Sequence, residues 1–314
     1  MRLPSDGNPE SMQTMMRSGQ APVTETANPS HQDLDRYTTQ ALVEAFVSDQ
    51  QVAAAAVLKA RDDLSRAVDA AALRLARGGR LIYAGAGTSG RLGVLDAVEL
   101  FPTFSWSRDR APALLAGGSS AMFLAVEGAE DNREQAAIDL LALEPVEHDV
   151  VFAIAASGYT PFALSVIETA KTCGALTIGM ANNPGSPLTQ LAEISIVLDT
   201  GAELISGSTR LKAGTAQKIA LNSFSSAVMI KLHKVYGNLM VDLRATNAKL
   251  YRRALRLTVA ASGASEDQAE EALLACGYRV KVAILMLRSG IPATEAESLL
   301  ESHAGNLRIA LGEQ

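Results

Sequence analysis

Two short segments carry the residues best suited to hold a charged ligand. The first is Gly85-Ala86-Gly87-Thr88-Ser89-Gly90. Its glycines let the backbone approach an anion, and a helix starting there presents unpaired N–H groups with a partial positive charge. The spacing G-x-G-x-x-G is also that of dinucleotide-binding folds, which require an acidic residue after the second strand to hold the ribose. Here that strand ends Leu114-Leu115-Ala116-Gly117-Gly118, with neither an acid nor an arginine. The hydroxyls of Thr88 and Ser89 suit the oxygens of a phosphate monoester instead. The second segment, Ala155-Ala156-Ser157-Gly158-Tyr159-Thr160-Pro161, repeats the logic, with Pro161 at the start of a helix. Either pair of hydroxyls alone would serve as ordinary helix caps. Together they predict that Gly87, Thr88, Ser89, Ser157, Gly158 and Thr160 grip a phosphate monoester, with no nucleotide, cofactor or metal.

Both loops need strands to deliver them and helices to follow. Short apolar runs occur at Leu81–Ala84, Ala113–Ala116, Val150–Ala155, Leu176–Met180 and Ile194–Leu198. Helical patterns such as Phe162 to Cys173 lie between them. This alternation predicts an α/β fold with a five-stranded parallel sheet sandwiched by helices. The strand order is not readable. Upstream, Ala41, Leu42, Ala45 and Phe46 share a helical face, the periodicity continues over Val52 to Ala76, and Gly78-Gly79 ends it. Thr215 to Val235 reads as a long, mostly apolar helix, interrupted by Lys218, Asn222, Lys231 and Lys234, at the core or a dimer interface. After a helix over Asn247 to Ala261, a hinge is expected at Ala261-Ser262-Gly263-Ala264. Ser265 to Leu311 then reads as three or four short helices. Ser265 and Gln268 suit a capping box, Gly277 and Gly290 mark helix ends, and Pro292 opens the next helix. The expected units are a flexible tail over 1–33, a phosphosugar-binding catalytic domain over 34–262 and a small helical module over 263–314.

Composition narrows the function. Of 314 residues, 48% are hydrophobic and 20% charged, so the chain can fold around a core. Its net charge of -6 argues against a nucleic-acid partner, which calls for a basic excess. Two cysteines, Cys173 and Cys276, stand far apart in apolar surroundings and are expected reduced. The four histidines are scattered, which predicts no metal site. No apolar run reaching the roughly 18–20 residues needed to span a membrane is expected. The first 30 residues are polar and proline-rich, without a secretory core, so a cytoplasmic enzyme is expected.

Longer strings are more specific. Gly78 to Tyr83, the Gly85–Gly90 loop and Arg91-Leu92-Gly93-Val94-Leu95-Asp96-Ala97 resemble the N-acetylmuramic acid 6-phosphate etherases. So do Val126-Glu127-Gly128-Ala129-Glu130-Asp131, the Ala155–Pro161 loop, Gly207 to Lys218 and Gly237 to Asp242. The likeness runs from about Thr24 to the C-terminus. It implies a sugar isomerase (SIS) domain followed by a helical module similar to ubiquitin-associated domains. It also implies cleavage of the substrate's D-lactyl ether to N-acetylglucosamine 6-phosphate and D-lactate, by elimination and then hydration, in cell-wall recycling. Two carboxylates suffice for this chemistry.

The resemblance assigns those two roles. Glu99 matches the proton donor to the lactate oxygen, and Glu130 the second catalytic glutamate, acting as the base at C2. Apolar Val98, Leu100 and Phe101 around Glu99 suggest a desolvated carboxyl suited to keeping a proton. Local pattern does not separate Glu130 from Glu127, one turn away. Lys212 and Lys218 are candidates for substrate contact or for structural roles. The chain departs from the family at Val98, Leu100 and Phe101-Pro102, where small or polar residues and a Pro-Pro pair are usual. It departs again at Tyr159, where an arginine is common. The competing readings are a non-catalytic phosphosugar sensor and an aldose–ketose isomerase on the same fold. A homodimer is expected.

Overall fold

The computed structural model describes residues 22–313, apart from 244 and 246. Two helices lead in: α1, Thr39–Lys59, and α2, Arg61–Ala76. The Thr38 hydroxyl accepts the Ala41 amide and so starts α1. Where the pattern from Val52 to Ala76 predicts continuity, the chain turns at buried Ala60, which leaves helical geometry between the two helices. The sheet units follow as β1 Leu81–Gly85, α3 Gly87–Phe104, β2 Ala113–Leu115, α4 Arg133–Leu141, β3 Val150–Ile154, α5 Pro161–Thr172, β4 Leu176–Ala181, α6 Pro187–Leu191 and β5 Ile194–Val197. The long helix α7, Lys212–Lys231, closes this part.

All five expected strands form, every pairing is parallel, and the order is β2-β1-β3-β4-β5. Leu81, Tyr83, Phe152 and Ile154 face a core shared with α1, α2, α3 and α7. Ile82, Ala84, Val151 and Ala153 face a second core shared with α4, α5 and α6. Helices on both faces explain why the strands read as unbroken apolar runs rather than alternating ones.

A third core collects α8 Ala248–Ser262, α9 Glu266–Ala275, α10 Val280–Ser289, α11 Ala293–Ser302 and α12 Leu307–Ala310. The capping box of Ser265 and Gln268 is formed at α9. This core reaches back to Val241 and includes Ala254 of α8. Packing thus groups α8 with the four C-terminal helices, ahead of the division expected at residue 262.

Two further expectations change. Residues 1–21 of the expected tail lie outside the described residues. The part from Pro22 to Asp33 includes short 3-10 turns, and Thr24 is fully buried. The Thr24 amide donates to Asn183 Oδ1, and Asn183 Nδ2 donates to the Thr24 hydroxyl at 2.9 Å, which anchors the segment. Among the described residues one helix, α1, is long and apolar enough by length and composition to cross a membrane. Its alanines raise its mean hydropathy; Ala45, Ala53, Ala56 and Val57 are buried, and Asp49 forms a buried ion pair with Lys212 of α7 at 2.7 Å.

Candidate active site

The sheet reverses its order of growth between β1 and β3, and in open α/β sheets that reversal opens a crevice at the carboxyl ends of the strands. Gly85 at the end of β1 pairs with Ile154 at the end of β3, so the two expected loops emerge side by side. The first is tighter than its sequence suggests. Helix α3 begins at Gly87, which puts Thr88 and Ser89 in its first turn, and no side chain caps it. The first amides of α3 are left for a ligand. A Cβ on Gly90 would collide with the Gly85 carbonyl, so this glycine seats the helix on the strand.

The second loop is braced by its neighbours. Gly158 has φ +74° and rests against Ser186, where any Cβ would collide with the serine hydroxyl. The Ser157 hydroxyl accepts the Tyr159 amide at 3.1 Å, fixing the turn. Thr160 holds the N-cap position of α5 without making a capping bond. Tyr159 is exposed.

A third wall comes from α7. A Cβ on Gly214 would sit 3.4 Å from Thr88 Cγ2, so the start of α7 abuts the first loop. Buried Glu203 accepts the amides of Lys212 and Ala213 at 3.2 and 3.0 Å. Burial pushes its carboxyl above the ordinary value, and those two amides offset part of the rise. Lys212 is committed to Asp49 and is structural. Lys218 is half-buried and donates to Asn222 Oδ1.

Asn222 leads to a buried hub on α3. Asp96 accepts from Asn222 Nδ2 at 2.7 Å, the Ser225 hydroxyl at 3.2 Å and the Tyr83 hydroxyl at 2.6 Å. Burial, then the Asp96 charge, drives the Tyr83 phenol well above its ordinary value. The hub locks α3 to β1 and α7.

The two glutamates are placed very differently. Glu130 lies in a 3-10 turn, Ala129–Asp131, between β2 and α4. Ala129 packs with the core containing Phe162, the second residue of α5, so this turn shares the carboxyl edge with both loops. Arg91 of α3 holds the preceding segment through the carbonyls of Ala121 at 2.9 Å and Leu124 at 3.3 Å. Glu99 stands far along α3 and is exposed. The helical period separates its apolar sequence neighbours: Leu100 turns inward, while Val98 is 64% and Leu95 40% exposed on the outer face. Among the described residues, none supplies the desolvation expected around Glu99. Sequence reasoning missed Thr24, Asn183, Glu203, Asp49 and Asp96 as partners that shape the crevice.

Known proteins resemble this chain over nearly its whole length. Residues 63–171 match the family described as the glucokinase regulatory protein N-terminal SIS domain, 141–227 the SIS domain, and 237–289 the C-terminal lid domain of glucokinase regulatory protein. An N-acetylmuramic acid 6-phosphate etherase of Deinococcus radiodurans is 54% identical, covering 92% of this chain and 95% of its own. N-acetylmuramic acid 6-phosphate etherase 1 of Vibrio cholerae is 47% identical, covering 93% and 97%. Among solved structures, a phosphoheptose isomerase from Francisella tularensis matches 62% of this chain and 100% of its own, with 16% identity and a TM-score of 0.47.

Proposed function

The chain belongs to the N-acetylmuramic acid 6-phosphate etherase family, and from that premise we propose that it cleaves the D-lactyl ether of this phosphosugar. The observation that carries the reading is one crevice with two uncapped helix starts, hydroxyls at Thr88, Ser89, Ser157 and Thr160, and Glu130 on the same edge. Amides of a helix start and neutral hydroxyls suit a phosphate monoester.

In the open-chain sugar the C2 proton is acidified by the C1 aldehyde, and the lactyl ether on C3 is β to that carbonyl. Glu130 takes the C2 proton as general base. The C2–H electrons form the C2=C3 double bond, and the C3–O bond breaks with its pair going to the lactate oxygen. Glu99 supplies the proton to that oxygen, and D-lactate leaves. Water then adds its oxygen to C3 and a proton to C2, giving N-acetylglucosamine 6-phosphate. Positioned acid–base groups of this kind contribute roughly 10²–10⁴-fold each.

Tyr159 faces solvent beside Ser157, and in this reading it tunes preference for groups attached near the phosphate. A cytoplasmic homodimer fits the same reading. The test is an assay for D-lactate release from N-acetylmuramic acid 6-phosphate with no added metal or nicotinamide cofactor. Release supports the etherase, and none at micromolar enzyme overturns it.

A further inference from the structure

Every polar group of Thr24 is engaged, and each leads toward the crevice. Thr24 lies in the turn Val23–Glu25 and is fully buried. Its amide donates to Asn183 Oδ1 at 3.3 Å, and its hydroxyl accepts from Asn183 Nδ2 at 2.9 Å. The same Nδ2 also donates to the Ala156 carbonyl at 2.9 Å, one residue before Ser157. Asn183 is thus held between this turn and the second phosphate loop, with its oxygen and both amide hydrogens in use.

The Thr24 carbonyl leads the other way. It accepts the Gly207 amide at 3.0 Å, the Gly207 carbonyl accepts the Thr209 amide at 2.9 Å, and the Thr209 carbonyl accepts the Gly214 amide at 2.9 Å. Gly214 is the residue of α7 that abuts Thr88 in the first loop. Ser206 adds a second tie, its hydroxyl donating to the Glu25 carbonyl at 2.8 Å. One buried residue therefore connects the supports of both phosphate loops.

We propose that Thr24 is a positioning residue for the phosphate site, setting the spacing between the two phosphate-binding loops. A phosphate shared by two helix starts needs both aimed at one point, and binding falls when either start is displaced. Removing the Thr24 hydroxyl leaves an Asn183 N–H buried without a partner, which frees Asn183 to turn away from Ala156. The Asn182 amide still holds the Ala156 carbonyl at 2.9 Å. The loop is then loosened rather than released, and the loss falls on binding before it reaches the acid–base groups.

The inference rests on the etherase reading for the identity of the phosphosugar, and a binding measurement separates the two. Thr24→Val keeps the shape of the side chain without its hydroxyl. Its Kd for N-acetylglucosamine 6-phosphate, from calorimetric titration, is expected to rise about tenfold. KM for D-lactate release rises in parallel, with kcat within about twofold of the wild type. Thr24→Ser keeps the hydroxyl and is expected to restore affinity. Arg80→Met, at the far edge of the sheet, controls for lost stability alone and is expected to leave Kd unchanged. A folded Thr24→Val with wild-type Kd, a loss shared in full by Thr24→Ser, or an equal loss in Arg80→Met overturns the proposal. If Thr24→Val does not fold, Ser206→Ala removes the exposed tie to Glu25 instead; a rise in Kd of about two- to threefold supports the proposal, and an unchanged Kd overturns it. Failure of the etherase reading shows as absence of D-lactate release by the wild-type protein, while the Kd comparison still decides the role of Thr24. No phosphosugar binding by the wild type overturns both.

Discussion

The carboxyl edge of the sheet and the outer face of α3 are built on opposite principles. At the edge, each element is held by several others: Gly158 against Ser186, Asn183 against Thr24, Thr88 against the start of α7. On the outer face of α3, Glu99 stands among exposed Leu95 and Val98. A binding site for a fixed anion benefits from donors set before the ligand arrives. A proton donor needs a dry environment, which the outer face of α3 acquires only when something covers it. In the proposed reading, anion binding falls to the edge where the elements brace one another and proton transfer to the exposed face of α3.

Substitutions test that division. The largest effect is expected for Glu99→Gln and Glu130→Gln, each lowering kcat by about 10²–10⁴-fold, with phosphosugar binding retained in calorimetric titration. A large loss of binding with either variant would place that glutamate in the anion cradle instead. Next comes Gly158→Ala, whose Cβ has no room beside Ser186; it is expected to destabilise the fold by about 2–3 kcal/mol. Gly87→Ala, at φ +53° but with open space around it, is expected to cost only about 1 kcal/mol. Thermal unfolding of the two variants side by side checks the contrast. Thr88→Val and Ser157→Ala should each weaken phosphosugar affinity by about tenfold, roughly one hydrogen bond, with kcat largely preserved.

The smallest effect concerns the edge of the sheet away from the crevice. Arg80 pairs with buried Asp149 at 2.6 Å. Burial pushes the Asp149 carboxyl up, but Arg80 and the amides of Val146 and Arg80 outweigh it and hold the group below its ordinary value. A depressed carboxyl stabilises the folded state above the unfolded value near 4 and loses that contribution as pH falls. Arg80→Met is therefore expected to move the acid-unfolding midpoint to higher pH while leaving stability near pH 7 less affected by pH itself. An unmoved acid midpoint would show that the backbone amides alone hold Asp149.

Much of the framework was legible because it follows from local rules. The five strands were bounded by turn residues, and Ser265 with Gln268 announced a capping box that forms. The two loops were recognisable because glycine, hydroxyl residues and a following helix have few other uses together. What escaped depends on partners distant in the chain. Lys212 could not be assigned before Asp49, 163 residues away, was known to pair with it. Thr24 read as tail because Asn183 lies 159 residues downstream. The surroundings of Glu99 escape the sequence for a different reason. Adjacent apolar residues on a helix point in different directions, so Val98 and Leu100 do not enclose the residue between them.

The closed start of α7 limits how much negative charge the crevice can reward. Three helices begin around it, but Glu203 already occupies the Lys212 and Ala213 amides of one, leaving the starts of α3 and α5. In the proposed reading a sugar with a single phosphate uses both open helix starts, and a second phosphate finds no third set of free amides there, because buried Glu203 already holds them. In that reading, Glu203 would thus disfavour diphosphates and nucleotides without itself touching the substrate.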